Sequence, residues 1–159
     1  MDSYRISKGE HEATLWVHPE GRVLASLFLH LNDARESGHE EPIELINGPA
    51  PFIVVRCNGT DELRFYSKRA IVRIEHAPMT PVDSDDASTI ACELRMMDGS
   101  SLTGSIREFL VPEHRRLFDY LNQRGEQFLR IFLADDRVCL VNKAYIVRAI
   151  ELDDSERDD

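Results

Sequence analysis

The chain carries one pattern of strands and turns twice, and this internal similarity limits its fold more than any other sequence feature. Residues 13–28 align with residues 92–106 when a single residue is gapped in the turn, and residues 43–47 align with residues 118–122. The matching blocks occur in the same order in both halves, and the gaps fall at predicted turns. The sequence therefore predicts two divergent copies of one small β-rich unit.

The last matching blocks are residues 66–75 and 141–151, and each contains a lysine followed by an apolar strand. In this alignment Lys68 of the first copy corresponds to Lys143 of the second. Alternation of apolar and polar residues predicts two strands before a short helix and three strands after it in each copy. The predicted fold class is mainly β with short helices, and each unit is expected to be a small barrel.

The helix is predicted in both copies from its end signals. In the second copy it is expected to begin at Pro112 and to end at Gly125, since proline suits the first helical turn and glycine suits the end. In the first copy, Pro42 is expected to start and Gly48 to stop a single turn. The helix therefore lies between the second and third strands of each unit.

Composition sets the expected domain boundaries. The first unit is predicted over residues 1–76 and the second over residues 91–152. Between them, residues 77–90 contain prolines and aspartates and are expected to form an exposed acidic linker. The acidic tail, residues 153–159, is too poor in apolar residues to pack, so it is expected to be mobile.

The strand alternation also predicts which side chains point inward. The last strand of each unit is apolar on both faces, so its second face is expected to contact the sister copy, the helix or another subunit. Ile71 and Ile146 are therefore candidate interface positions. Trp16, the only tryptophan, is a third candidate because it falls on the outward side of its strand, where burial between the copies is favoured over a free binding anchor. The predicted core residues are Leu15, Leu24, Val72, Leu94, Leu102 and Val147.

Charge and apolar content limit the setting in which the protein acts. The 159 residues carry a formal net charge of −10, which repels nucleic acid and anionic lipid unless a local basic face overrides it. No apolar run approaches the length of a membrane span, and the start, MDSYRISKGEHE, lacks the pattern of a signal peptide. A cytoplasmic protein with no membrane partner is expected.

Two stretches carry a resemblance to a known family. Residues 98–106 (DGSSLTGSI) form a predicted hairpin, and residues 128–151 form three predicted strands with a lysine before the final one. The first copy repeats both stretches more weakly. They resemble the Sm-like family of small barrels, in particular its bacterial RNA-chaperone branch, Hfq. This resemblance implies two tandem Sm-like or SH3-like barrels in a bacterial protein.

The chain departs from that family at the positions that matter for RNA. A helix is inserted between the second and third strands of each unit. Where the RNA-chaperone branch has a histidine after the lysine, this chain has Arg69 in one copy and Ala144 in the other. RNA binding therefore does not follow for Lys68 and Lys143 from the resemblance by itself.

Signatures of enzyme chemistry are missing from the sequence. It contains no glycine-rich phosphate loop, nucleophile elbow or zinc-protease helix, so no enzyme activity and no cofactor are expected. His11 and His39 stand beside glutamates, but no histidine pair has metal-ligand spacing, so surface histidines are favoured over a metal site. The three widely spaced cysteines are expected to be buried packing thiols.

A cyclic-dinucleotide site of the PilZ type is one alternative. Arg69 and Arg73 form an RxxxR pattern, and Asp98, Ser100 and Gly104 resemble its second motif. The spacing of that second motif is wrong by one residue. The internal duplication explains the same residues as a hairpin turn and as an outward-facing arginine with a counterpart in the other copy.

Nucleic-acid binding and protein binding are the two other classes of function that the sequence allows. RNA or DNA could bind a basic strip on the otherwise acidic body, although few aromatic side chains accompany it. Protein binding, including self-association through open sheet edges, is the favoured function, with a structural or adaptor role. The basic strip would consist of Arg64, Lys68, Arg69, Arg73, Arg137, Lys143 and Arg148.

Overall fold

A computed structural model describes residues 8–30, 40–79, 88–108 and 117–152. Within them, the protein is mainly β: ten antiparallel strands form one sheet, accompanied by two short helices. The first half contains β1 (Lys8–Val17), β2 (Gly21–His30), α1 (Pro42–Ile46), β3 (Phe52–Cys57), β4 (Leu63–Ser67) and β5 (Ile71–His76). The second half contains β6 (Ser88–Met96), β7 (Ser101–Glu108), α2 (Leu117–Leu121), β8 (Phe128–Phe132), β9 (Val138–Asn142) and β10 (Ile146–Glu151).

Both halves have the same strand order. The sheet runs β10-β6-β7-β8-β9-β5-β1-β2-β3-β4, so each half places its fifth strand beside its first and its fourth strand at the far side. The halves join where β5 pairs with β9. The sheet is not closed, and its two outer strands are β4 and β10.

Two hydrophobic clusters fill the protein, and each contains residues from both halves. The first cluster lies mainly in the first half but includes Phe128 and Leu140 of the second half. The second cluster lies mainly in the second half but includes Val72 of the first. Trp16 packs against this second cluster as well. The halves therefore share their cores across the β5–β9 pairing.

The structure corrects the predicted orientation of β2. Leu15, Leu94 and Leu102 are buried as expected, but Leu24 is exposed because Val23 and Ala25 point inward. The hairpin registers explain the error: Leu15 pairs with Val23 and Leu94 with Leu102, so the two hairpins align without a gap. The predicted one-residue gap reversed the faces of the strand.

Two glycines misled that alignment. Gly21 and Gly99 both adopt positive φ, at 93° and 89°, which favours glycine at each position. However, Gly21 is the first residue of β2, whereas Gly99 lies within the turn before β7. Aligning the glycines therefore displaced β2 by one residue relative to β7.

The prediction that Val147 is buried is also wrong, although its counterpart Val72 is buried as expected. Each of these valines lies at a β-bulge, where β5 shifts register against β1 and β10 shifts register against β6. The bulge turns Val72 into the second cluster, which belongs to the other half. Val147 lies on an outer strand with no neighbouring unit, so it remains exposed.

The helix and linker predictions have mixed outcomes. Pro42 begins α1 as predicted, whereas Pro112 lies outside the described residues. The strand β6 begins at Ser88, so the last residues of the predicted linker belong to the sheet. The predicted mobile tail, residues 153–159, lies outside the described residues.

Candidate functional site

The contact between the two halves, here called the junction, shows how one unit binds another. It consists of β5 paired antiparallel with β9, with Arg73 opposite Val141 and His76 opposite Val138. In addition, α1 of the first half contacts β8 of the second. The junction is therefore a strand pairing reinforced by a helix.

Asn47, which follows α1, fixes the helix side of the junction. Its side chain donates a hydrogen bond to the Phe128 carbonyl at 3.1 Å and accepts one from the Phe128 amide at 2.9 Å. The Phe128 ring is fully buried in the cluster of the first half. One residue of the second half is thus held through both its backbone and its ring.

Asn142, at the end of β9, fixes the strand side. It is fully buried, and its Nδ2 donates to the Ile71 carbonyl at 2.9 Å, across the junction. Its Oδ1 accepts hydrogen bonds from Gln127 Nε2 at 2.6 Å and from the Ala144 amide at 3.0 Å. The side chain therefore ties the end of β9 to the Ile71 backbone of the other half and to the Gln127 side chain of its own half.

Lys68 and Lys143 make equivalent contacts in their two halves. Lys68 Nζ donates to the Gly48 carbonyl at 2.9 Å, and Lys143 Nζ donates to the Gln123 carbonyl at 3.0 Å. Both carbonyls follow the short helix of their own half. Burial lowers the pKa of each lysine from its ordinary value. These contacts give both lysines a role in anchoring the helix.

Arg73 and Arg137 lie at the junction, and the carboxylate of Glu75 lies between them. The guanidinium of Arg73 stacks on the Trp16 ring, 3.9 Å from the ring centre, and its Nε lies 3.5 Å from Glu75 Oε2. On the other side, Arg137 Nε lies 3.9 Å from Glu75 Oε1. Trp16 is therefore half-buried between the halves, in a cation–π contact.

The remaining members of the proposed basic strip lie in separate places. Arg64 is on the outer strand β4, where it pairs with Glu62 and donates to the Tyr66 hydroxyl. Arg148 is exposed on the opposite outer strand, β10. The structure thus brings Arg73 and Arg137 to one acidic residue and places Arg64 and Arg148 at opposite edges of the sheet.

The other candidate interface residues divide between the two clusters. Ile71 is fully buried in the first cluster, and its carbonyl accepts the Asn142 hydrogen bond across the junction. Ile146 is half-buried against the second cluster. At the junction it is Val72, the bulge residue, that enters the other half.

A cleft of about 710 Å³ opens between the halves, beside the single helical turns Lys68–Ala70 and Lys143–Tyr145. It is lined by Lys68, Arg69, Gln127, Asn142 and Tyr145 among other residues. Arg69 is exposed there, while the Lys68 ammonium and the Asn142 amide already hydrogen-bond the backbone. The cleft therefore presents one exposed arginine and one tyrosine, while the Lys68 and Asn142 side chains in its lining already have hydrogen-bond partners.

The residues of the PilZ-type alternative have structural explanations here. Arg73 Nη1 donates to Ser100 Oγ at 3.2 Å, so the structure does bring these two residues together. Asp98 accepts from the Ser100 amide and hydroxyl within the turn before β7. A Cβ at Gly104 would lie 2.6 Å from the Phe132 carbonyl oxygen, which explains the glycine.

The two outer strands carry half of the large apolar side chains that are exposed in the described residues. Among the described residues there are eight such side chains, and six of them lie on β4, β10 or the elements next to them. Phe65 and Val147 are 71% and 62% exposed, and Phe118 is 73% exposed. On the β4 side they are Phe52, Leu63 and Phe65, and on the β10 side they are Phe118, Val147 and Ile150.

The junction buries four of the six equivalent positions. Phe128, Val138 and Leu140 are the counterparts of Phe52, Leu63 and Phe65, and all three are buried. On the other side, Val72 is the buried counterpart of Val147, and Ile43, the counterpart of Phe118, packs on the first cluster. These edge residues were not predicted as a site, although the alignment of the two halves already paired Phe118 with Ile43 and Val147 with Val72.

The histidine and cysteine side chains are the potential soft metal ligands and nucleophiles of this chain. No group of three or more potential ligands occurs within the described ranges; His39 lies outside them. The three cysteines are free and buried, as expected of packing thiols. Burial raises the pKa of Cys92 to about 11 and that of Cys139 to about 12, so neither is a ready nucleophile at neutral pH.

His76, the last residue of β5, makes the stability of the junction depend on pH. Burial lowers its pKa to about 4, and its Nδ1 contacts the Ala77 carbonyl at 2.7 Å. The unfolded chain, with an ordinary histidine pKa of about 6.5, binds a proton before the folded chain does. Lowering the pH from 7 to 5 should therefore cost about 2 kcal/mol of stability through this group.

Chemical denaturation at both pH values measures this cost. We expect His76→Gln to lose less stability than the wild type over the same interval, because the titrating group is gone. Equal losses in the two proteins would show that His76 does not titrate as its burial implies.

Comparisons with known proteins give no relative for this chain. No protein-family model, curated protein or solved structure matches it. Among the described residues, neither helix is long and apolar enough to cross a membrane. Function is therefore inferred from the junction and from the exposed outer strands.

Proposed function

We propose that this protein is a non-enzymatic, cytoplasmic binding module with a structural or adaptor role. In this proposal each half is an Sm-like small barrel, and the two arose as copies of one unit. The module binds protein chains at its outer strands, β4 and β10. Equal strand order in the halves and the equivalent contacts of Lys68 and Lys143 support the proposal.

The observation that carries the proposal is the difference in burial between equivalent positions. Leu140 on β9 is fully buried, whereas Phe65 at the equivalent position of β4 is 71% exposed. An outer strand with unpaired backbone groups and exposed apolar side chains favours the addition of another strand. The same chain already performs this addition once, where β5 meets β9.

Photo-cross-linking in living cells tests the proposal. A photoreactive phenylalanine analogue placed at Phe65 or at Val147 should form adducts with protein, because both side chains project from the outer strands. The same analogue at Leu24, which is equally apolar and exposed on an inner strand, should form few adducts. Equal adducts from all three positions, or none from any, would contradict binding at the outer strands.

RNA binding is the second candidate, and the cleft between the halves favours it. Arg69 and Tyr145 line that cleft, and such a pair suits phosphate contact and base stacking. A net charge of −10 opposes it by repelling a polyanion. Tight RNA binding that weakens steeply with salt and is lost in Arg69→Ala would support this second function.

A further inference from the structure

Three turns of this protein place a glycine directly after an asparagine or an aspartate. The pairs are Asn47–Gly48 after α1, Asn58–Gly59 between β3 and β4, and Asp98–Gly99 between β6 and β7. In such a pair the glycine nitrogen can attack the carbonyl carbon of the preceding side chain, because glycine has no side chain to hinder the approach. The structure distinguishes the three pairs by the contacts that hold the attacking nitrogen and the attacked side chain.

Asn58 and Gly59 are both exposed in their turn. The Gly59 amide makes no hydrogen bond to the described residues, and neither does the Asn58 side chain. A Cβ built on Gly59 would meet no heavy atom within 4 Å beyond its chain neighbours. Both the attacking nitrogen and the attacked amide are therefore open to water.

The Asn47 pair differs because the junction holds its side chain. Nδ2, the group that would leave, donates to the Phe128 carbonyl at 3.1 Å, and Oδ1 accepts from the Phe128 amide at 2.9 Å. The Gly48 amide donates to the Leu45 carbonyl at 3.3 Å. Attack at this pair therefore requires the junction contact and the end of α1 to open first.

Asp98 is held within its own turn. Its carboxylate accepts hydrogen bonds from the Ser100 hydroxyl at 2.6 Å and from the Ser100 amide at 2.9 Å. These bonds lower the pKa of Asp98, so the group is an ionised carboxylate, which resists attack by a nucleophile. The Gly99 amide also donates to the Met96 carbonyl, at 2.9 Å. This pair has neither a free nitrogen nor a reactive side-chain carbonyl.

We propose that Asn58 is a site of spontaneous deamidation in the folded protein, and that the junction protects Asn47 from the same reaction. The Gly59 nitrogen loses its proton to water or hydroxide and forms a bond to Asn58 Cγ. The bond from Cγ to Nδ2 breaks, and Nδ2 takes up a proton and leaves as ammonia, which closes a succinimide ring. Water then opens the ring on either side of its nitrogen and leaves an aspartate or an isoaspartate. The net change is the uptake of water and the release of ammonia.

This conversion alters the hairpin that carries the outer strand β4. The turn is closed by hydrogen bonds from the Asp61 amide to the Cys57 carbonyl, at 3.0 Å, and from the Cys57 amide to the Glu62 carbonyl, at 2.8 Å. An isoaspartate carries the main chain through the side-chain carbons and so lengthens the turn between these contacts. Both products add a negative charge there. Because the reaction needs only water, it proceeds whether or not β4 binds protein.

Incubation of the purified full-length chain at mildly alkaline pH tests the assignment, because base removes the amide proton. Trypsin cleaves after lysine and arginine, so the three pairs fall on separate peptides, residues 36–56, 57–64 and 96–107. Mass spectrometry follows the acid form of the two asparagine peptides over time. We expect residues 57–64 to convert at least about tenfold faster than residues 36–56, because two hydrogen bonds hold the Asn47 side chain.

The aspartate pair needs a different readout, because its conversion to isoaspartate leaves the mass unchanged. A protein isoaspartyl methyltransferase with labelled S-adenosylmethionine marks isoaspartate directly. The label should appear on residues 57–64 and stay at background on residues 96–107. Asn58→Gln should remove the label, because attack on the longer glutamine side chain would close a larger ring that forms more slowly.

The same incubation in guanidinium chloride supplies the matched control. Unfolding removes the contacts of Asn47 and Gly48, so both asparagine peptides should then convert at similar rates. Three results would overturn the inference: residues 57–64 that keep their amide in the folded chain while the unfolded chain converts, equal rates for the two asparagine peptides in the folded chain, or a methyl label that persists in Asn58→Gln.

Discussion

Gly104→Ala should destabilise the protein by about 3 kcal/mol, the largest effect expected of a single methyl group here. A Cβ at this position would lie 2.6 Å from the carbonyl oxygen of Phe132, which is a backbone atom that cannot rotate away. The neighbouring pair, Ser105 with Phe132, is the one residue pairing recorded between β7 and β8 in the described residues. Moving the strands apart would therefore break their connection.

Urea denaturation measures this effect, with Thr103→Ala as the control. Thr103 is exposed on the same strand, so its substitution should change the free energy of unfolding by no more than about 0.5 kcal/mol. Ala25 occupies the equivalent position in the first half, where a Cβ is accommodated. A Gly104→Ala protein as stable as the wild type would mean that β7 and β8 lie farther apart than described.

Asn142→Ala should cost about 3 kcal/mol and should loosen the junction. The side chain is fully buried, and its loss leaves the Ile71 carbonyl and the Ala144 amide without their hydrogen-bond partner. Buried polar groups that lose their partners each cost about 1–3 kcal/mol. Because Ile71 belongs to the other half, the loss should affect the contact between the halves as well as the local turn.

Ser67→Ala provides the matched control, since Ser67 ends β4 as Asn142 ends β9. It should change the stability of the monomer by no more than about 0.5 kcal/mol. Amide hydrogen exchange adds a local measurement: Asn142→Ala should speed exchange in β5 and β9 more than in β1 and β2. Equal stability of the two variants would contradict the role given to Asn142.

Sequence patterns predicted the mainly β fold and the start of the first helix. The face of β2 that points inward was predicted wrongly. Alternation and turn residues gave a mainly β chain, the helix start at Pro42 and the burial of Leu15, Leu94 and Leu102. The predicted inward face of β2 was wrong because the two glycines with positive φ occupy different positions around their turns, Gly21 at the start of β2 and Gly99 within the turn before β7. One wrong gap was enough to place Leu24 on the wrong face.

The outer strands could not be identified from the sequence because burial there depends on which strand pairs with which. Val72 and Val147 follow the same local pattern, yet one is buried by the other half and the other is exposed. Local sequence carries no information on that difference. Local sequence also could not show that Lys68 and Lys143, two members of the predicted basic strip, donate to carbonyls at the helix ends.

Affinity purification of the tagged chain from its own cells, scored for both protein and RNA, tests the central claim most directly. Three forms are compared: wild type, Phe65→Lys combined with Val147→Lys, and Arg69→Ala combined with Arg148→Ala. We predict that protein accompanies the wild type and the arginine variant but not the double lysine variant, with RNA at background throughout. RNA that accompanies the wild type and is lost only in the arginine variant, with protein content unchanged by the lysine substitutions, would contradict the account.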